Sequence, residues 1–212
     1  MESKVIYNMF NTLFPILYVW CTPLLANIGF CNKNKSLLGN TLSNYIATPQ
    51  ATGMMAVSYY SVSNIMMSKR FYRAFAVPSG AEKGFYISGI FYEIFFGMFL
   101  CSPVTYYPTI HYVSVGGFVC CAYIHLIYLE YSPFFKNTWP LSLATLKSIG
   151  TLSLIGISVT STIVRVVPIP NYLFFVFECI GLSSFILFMH IANQCIDRAA
   201  ANPINTVIGT LV

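Results

Sequence analysis

Charge is nearly absent from this chain over stretches long enough to cross a bilayer, and no other feature limits its fold as strongly. Six apolar runs, at about residues 10–30, 49–68, 84–103, 112–129, 143–164 and 172–195, take up most of the 212 residues. A hydrocarbon core about 30 Å thick is crossed by roughly 20 helical residues. Backbone in lipid must satisfy its own hydrogen bonds, which a helix does within one segment. Charged residues make up 8% of the chain, against about 25% in soluble domains, so most of the surface must face lipid. The expected fold is an all-α polytopic bundle of six transmembrane helices, a single membrane domain over residues 1–212.

Local signals set the ends of these spans. The first run is longer than a signal-peptide core and no small-residue cleavage site follows it. It reads as a retained span with Pro15 and Pro23 as tolerated kinks. Residues 31–48 read as a polar loop, and Thr48-Pro49 as a helix start, an N-cap followed by proline at the first helical position. Pro103 and Pro108 are expected to end the third span. The fifth is rich in small residues, among them Gly150, Ser153, Gly156 and Thr160. Such residues let helices approach closely where lipid supplies no hydrophobic drive, which suggests a central helix.

Basic residues fix an orientation. With six spans, Lys4, Lys69, Arg70, Arg73, Lys83, Lys136, Lys147 and Arg198 fall on one side, and Lys33, Lys35 and Arg165 on the other. The positive-inside rule then places both termini in the cytosol. The same scatter of single charges excludes a nucleic-acid surface, which needs a basic stripe. Seven cysteines show no CxxC pair and no Cys/His ligand spacing, so no metal site is expected. Cys31 and Cys101 fall near one surface and could pair, but two free thiols are the expected state. Neither HExxH, GxSxG nor a glycine-rich phosphate loop occurs, so no catalytic residue and no cofactor is expected.

Ionisable groups inside spans are costly and must face the bundle interior or a wet cavity. Glu93, His125, Glu178 and His190 stand out, with Asn64 as a polar companion. At 1.5 Å per residue, Glu93 lies roughly 13 Å and His125 roughly 6 Å from the cytosolic end. Asn64 and His190 fall in the same half, so these four could form one cluster. Glu178 sits about 9 Å below the other end of the last span, where Arg165 and His111 are the two candidate counter-charges. Each of these residues could serve a lipid or polar-cavity site, or could simply join helices by a hydrogen bond.

Four segments resemble a known family. Ser43-Asn44-Tyr45-Ile46-Ala47-Thr48-Pro49 leads into the second span, and Lys69-Arg70-Phe71-Tyr72 ends it. His111 precedes Gly116-Gly117, and Glu178 precedes Phe188-Met189-His190 and Asp197. In this order they are similar to the DRAM/Frag/Sfk-type six-span membrane proteins, which include the Golgi factor for GPI-lipid remodelling. Asn44, Gln50 and Tyr112 depart from that family's pattern, which often has Asp, Pro and Asp there. The resemblance implies a non-catalytic or accessory protein of Golgi, ER or lysosome, with membrane lipids as partners. Its role would lie in GPI-anchor lipid maturation, lipid homeostasis or autophagy. Two other readings fit the composition: an accessory subunit among other membrane-protein subunits, as in a respiratory complex of the mitochondrial inner membrane, and a small proton-coupled transporter using Glu93 and Glu178.

Overall fold

The computed structural model describes residues 2–32, 41–57, 75, 80–131, 141–163, 166–167 and 170–201. Among the described residues all regular structure is helical. In chain order the elements are α1 (Glu2–Asn27), α2 (Leu42–Tyr45), α3 (described over 49–57), α4 (Ala81–Cys101), α5 (Pro108–Tyr131), α6 (Leu141–Ile163) and α7 (Asn171–Ala201). Three segments are long and apolar enough to cross a membrane: Lys83–Cys101, Pro108–Tyr128 and Leu143–Thr160. Thr12–Asn27 and Tyr172–Phe188 are shorter apolar helices. The remainder of the expected second span, from residue 58 on, lies outside the described residues.

Most helix boundaries follow local chemistry. Thr48 caps α3, its Oγ1 accepting the Ala51 N–H at 3.2 Å and donating to the Phe30 carbonyl at 2.8 Å. Pro108 does not terminate the preceding span; it opens α5, where a missing N–H costs nothing. The segment expected to be a loop contains the one-turn helix α2, capped by Thr41, whose Oγ1 accepts the Asn44 N–H at 3.2 Å. Both prolines stay inside α1. Pro23 lacks the N–H that would have reached the Val19 carbonyl. The Thr22 hydroxyl donates to that carbonyl at 2.8 Å, and the Cys179 thiol approaches it at 3.7 Å. Neighbouring groups thus take the place of the lost backbone bond at this carbonyl.

Two antiparallel helix pairs form the frame. α4 packs on α5 through an aromatic cluster in which Tyr92, Phe96 and Phe99 surround Phe118, with centroid distances of 6.2, 5.2 and 5.4 Å. Gly117 admits the Phe95 ring, since a Cβ there would lie 2.5 Å from it. α6 packs on α7 through its small residues: Gly156 lies under Phe177, Gly150 against Phe185, and Ser153 against Gly181. The opposite face of α6 carries Leu152, Ile155 and Val159, all exposed. This helix is therefore peripheral, not central as the small residues suggested: they line one close contact and do not surround the helix. α1 runs antiparallel to α7, with Trp20 Nε1 donating to Ser183 Oγ at 3.0 Å. Cys31 is buried and Cys101 exposed, and no disulfide joins them.

The α6–α7 contact should be sensitive to volume at one position. A Cβ at Gly156 would sit 2.7 Å from the Phe177 ring, so Gly156→Ile should lower stability by about 1–3 kcal/mol, the usual cost of overpacking. Gly53→Ala, where a Cβ meets nothing within 4 Å, should not destabilise the protein. Thermal unfolding of the purified protein in detergent measures both.

Candidate functional site

A cavity of about 660 Å³ opens between the α4/α5 pair and the α6/α7 pair. Its walls are mostly apolar, with Phe118, Val119, Leu154, Ile157 and Phe185 among them. One end is polar, where Thr41, Ser43 and Asn44 of α2 meet His111 of α5 and Glu178 of α7. This is the end of the bundle at which α1 and α4 finish and α5 and α7 begin, so elements distant in sequence converge there.

Glu178 is half-buried and lines this cavity. Its Oε2 accepts the backbone N–H of Leu42 at 2.8 Å, and the Ser43 side chain faces the same carboxyl group. Ser43 Oγ in turn lies 3.1 Å from His111 Nε2. His111 is almost fully buried, and its Nδ1 lies 2.8 Å from the Ser102 carbonyl at the C-cap of α4. A carbonyl can only accept, so Nδ1 carries a proton. The result is a continuous chain, Leu42 to Glu178 to Ser43 to His111 to Ser102, tying α2, α7, α5 and the end of α4 together. Of the two candidate counter-charges for Glu178, His111 is joined to it through Ser43. Arg165 lies outside the described residues.

The other candidate residues are placed separately. His125 Nδ1 lies 2.9 Å from the Phe85 carbonyl and 3.0 Å from Ser88 Oγ, and its ring stacks on Phe85 at 4.1 Å. It joins α5 to the start of α4. His190 Nδ1 lies 2.9 Å from Thr12 Oγ1, and its Nε2 accepts from Gln194 Nε2 at 2.8 Å. It joins α7 to α1. These two histidines thus serve different helix pairs. Glu93 is buried in α4, five residues beyond Ser88. Asn64 lies outside the described residues.

Sequence reasoning missed Ser43, Ser88 and Thr12 as partners. Serine and threonine are common in spans, so only the fold shows which of them meets a histidine. Thr41 carried one usable signal, as a residue able to cap a helix. Compared with known families, curated proteins and solved structures, the chain matches none.

Ser88 and His125 should be energetically coupled. In a double-mutant cycle of Ser88→Ala and His125→Ala, read by unfolding in detergent, the interaction energy should be about 0.6 kcal/mol, typical of interhelical hydrogen bonds in membranes. Strict additivity would remove this contact from the account.

Proposed function

We propose that this chain is a six-span membrane protein with both termini in the cytosol, and that it holds a lipid in the cavity beside Glu178. The observation that carries the reading is the cavity itself. It falls in the range of about 300–1,000 Å³ usual for small-molecule sites, which pair apolar walls with a few placed polar groups. Here Phe118, Val119 and Leu154 would line an acyl chain or ring system, while Glu178, Ser43 and Thr41 offer hydrogen bonds to a headgroup. Ser43 Oγ lies 3.1 Å from His111 Nε2 at the polar end, but the same hydroxyl faces Glu178 and belongs to the tie between α2, α5 and α7, so a lipid-binding or accessory role is preferred to catalysis. The segments similar to the DRAM/Frag/Sfk-type proteins favour an endomembrane setting, with GPI-anchor lipid maturation or lipid homeostasis as the process served.

Blocking the cavity should remove the ligand. Native mass spectrometry of the detergent-solubilised protein should show a bound lipid, and Val119→Trp should lose it while keeping the wild-type melting temperature. A wild-type protein that carries no lipid and takes up no added phosphatidylinositol, diacylglycerol or sterol would overturn the reading and favour a purely structural subunit. Topology is tested separately. Tags at the two termini should both be digested by protease added to the cytosolic side of intact vesicles, and protection of one alone would mean an odd number of spans.

A further inference from the structure

We propose that Glu178, Ser43 and His111 hold a single proton among them, and that this shared proton latches α2 across one end of the cavity. His111 Nδ1–H donates to the Ser102 carbonyl, so in neutral imidazole the other ring nitrogen, Nε2, is an acceptor. Ser43 has one hydroxyl proton and faces both His111 Nε2 and the Glu178 carboxyl. If Glu178 is ionised and His111 neutral, two acceptors compete for that one proton and one bond is lost.

Adding one proton repairs the chain in either of two ways. Protonated Glu178 can donate to Ser43 Oγ while Ser43 donates to neutral His111. Alternatively His111 is a cation whose Nε2–H donates to Ser43 Oγ, while Ser43 donates to the Glu178 carboxylate. The two arrangements have the same net charge, zero, and differ only in where the proton rests. The first avoids a buried charge altogether, and the second places a cation at the carbonyl end of α4, where the helix dipole favours it. Both keep the Leu42 N–H on Glu178.

The other titratable groups around the carboxyl group, among the described residues, are thiols and phenols. Cys179 adjoins it on α7. Tyr45 lies on α2 and Cys31 just beyond α1, and burial raises both above their ordinary values. Tyr92 and Tyr112 face the cavity from α4 and α5. None supplies a charge that would replace the shared proton.

Position turns this proton into a control on the site. Thr41, Leu42, Ser43 and Asn44 all line the cavity, and a four-residue helix has little stability of its own. Its ties to α7 and α5 run through Glu178 and His111. As pH rises and the proton leaves, Ser43 releases one partner and α2 loosens from the cavity. The latch therefore holds in the protonated state and weakens toward alkaline pH. A lipid would enter or leave more readily in the deprotonated state, a consequence that rests on the proposed lipid site, whereas the latch itself does not.

Glutamine at position 178 is the discriminating substitution. Its amide oxygen accepts the Leu42 N–H, and its amide N–H donates to Ser43, reproducing the protonated carboxyl group without its titration. Hydrogen exchange over residues 41–46 of the full-length protein in detergent, corrected for the intrinsic effect of pH, reads the latch. Wild-type protection should fall about tenfold from neutral to alkaline pH, the factor carried by one hydrogen bond. Glu178→Gln should stay protected throughout, Ser43→Ala should be weakly protected at every pH, and Ser43→Thr should restore the titration. The pattern should persist in Val119→Trp, so a failure of the lipid reading leaves it intact. Wild-type protection independent of pH would overturn the proposal, as would Glu178→Gln behaving like Ser43→Ala. Loss of the pH response in Arg165→Gln would assign the counter-charge there and overturn it too. Should Glu178→Gln fail to fold, the imidazole nitrogen shifts of His111 in the wild-type protein decide. They are read at neutral pH together with the Glu178 carboxyl carbon shift. A neutral carboxylic acid beside an Nδ1–H imidazole, or a carboxylate beside an imidazolium, supports the shared proton; a carboxylate beside a neutral imidazole, or an Nε2–H tautomer, overturns it.

Discussion

A carboxyl group among hydrocarbon side chains must find hydrogen-bond partners, and one end of this bundle is arranged around the partners that Glu178 finds. Leaving such a group unpaired costs several kcal/mol. α7 places Glu178 about two turns from its start, and the Leu42 N–H, the Ser43 side chain and, through Ser43, His111 meet it there. The requirement explains why a single helical turn persists between α1 and α3. Its Thr41 cap, the bond from Leu42 and the edge contact of Tyr45 with Phe175 at 5.5 Å together hold what four residues alone could not.

The cavity follows from where close packing stops. Each helix pair approaches tightly where glycine or serine meets an aromatic ring, as Gly117 meets Phe95 and Gly156 meets Phe177. Those contacts satisfy each pair internally. Between the pairs the facing side chains are Phe118, Val119, Leu154 and Ile157, which border the space and leave about 660 Å³ unfilled. Small residues thus have two consequences: they draw α6 onto α7, and they leave the other sides of both helices with nothing that forces closure. Interiors are ordinarily packed to crystal-like density, so a void of this size is a distinct feature of the bundle.

Much of the framework was legible in the sequence. The apolar runs mark the helices, Thr48-Pro49 marks the start of α3, and Gly150, Ser153 and Gly156 mark the α6–α7 contact. What stayed illegible is rotational phase. A helix that is apolar on all sides gives no sign of which face meets a neighbour, so equal depth suggested that His125 and His190 might meet, whereas they face α4 and α1. The link from Glu178 to His111 was half visible, because both were placed near the same end of the bundle. Its middle member, Ser43, was not, because a serine in a short polar segment has no pattern that distinguishes it. Burial of α6 was overread from its composition, since small residues on one face say nothing about the other.

All three histidines present Nδ1 to another element: His111 to Ser102 at the end of α4, His125 to Phe85 at its start, and His190 to Thr12 on α1. An imidazole suits this task in a membrane, because one nitrogen reaches a carbonyl or hydroxyl while the ring itself packs as an apolar disc. His125 stacks on Phe85 in this way, and His111 lies 4.8 Å from the Phe99 ring. The second nitrogen separates their roles. At His190 it meets the neutral amide of Gln194, a partner whose protonation does not change. At His111 it meets Ser43, one hydroxyl away from a carboxyl group. Only there, among the described contacts, does the state of one ionisable group dictate the hydrogen bonding of another. The same structural device thus fastens helices at two places and at the third carries a charge-dependent choice to the edge of the cavity.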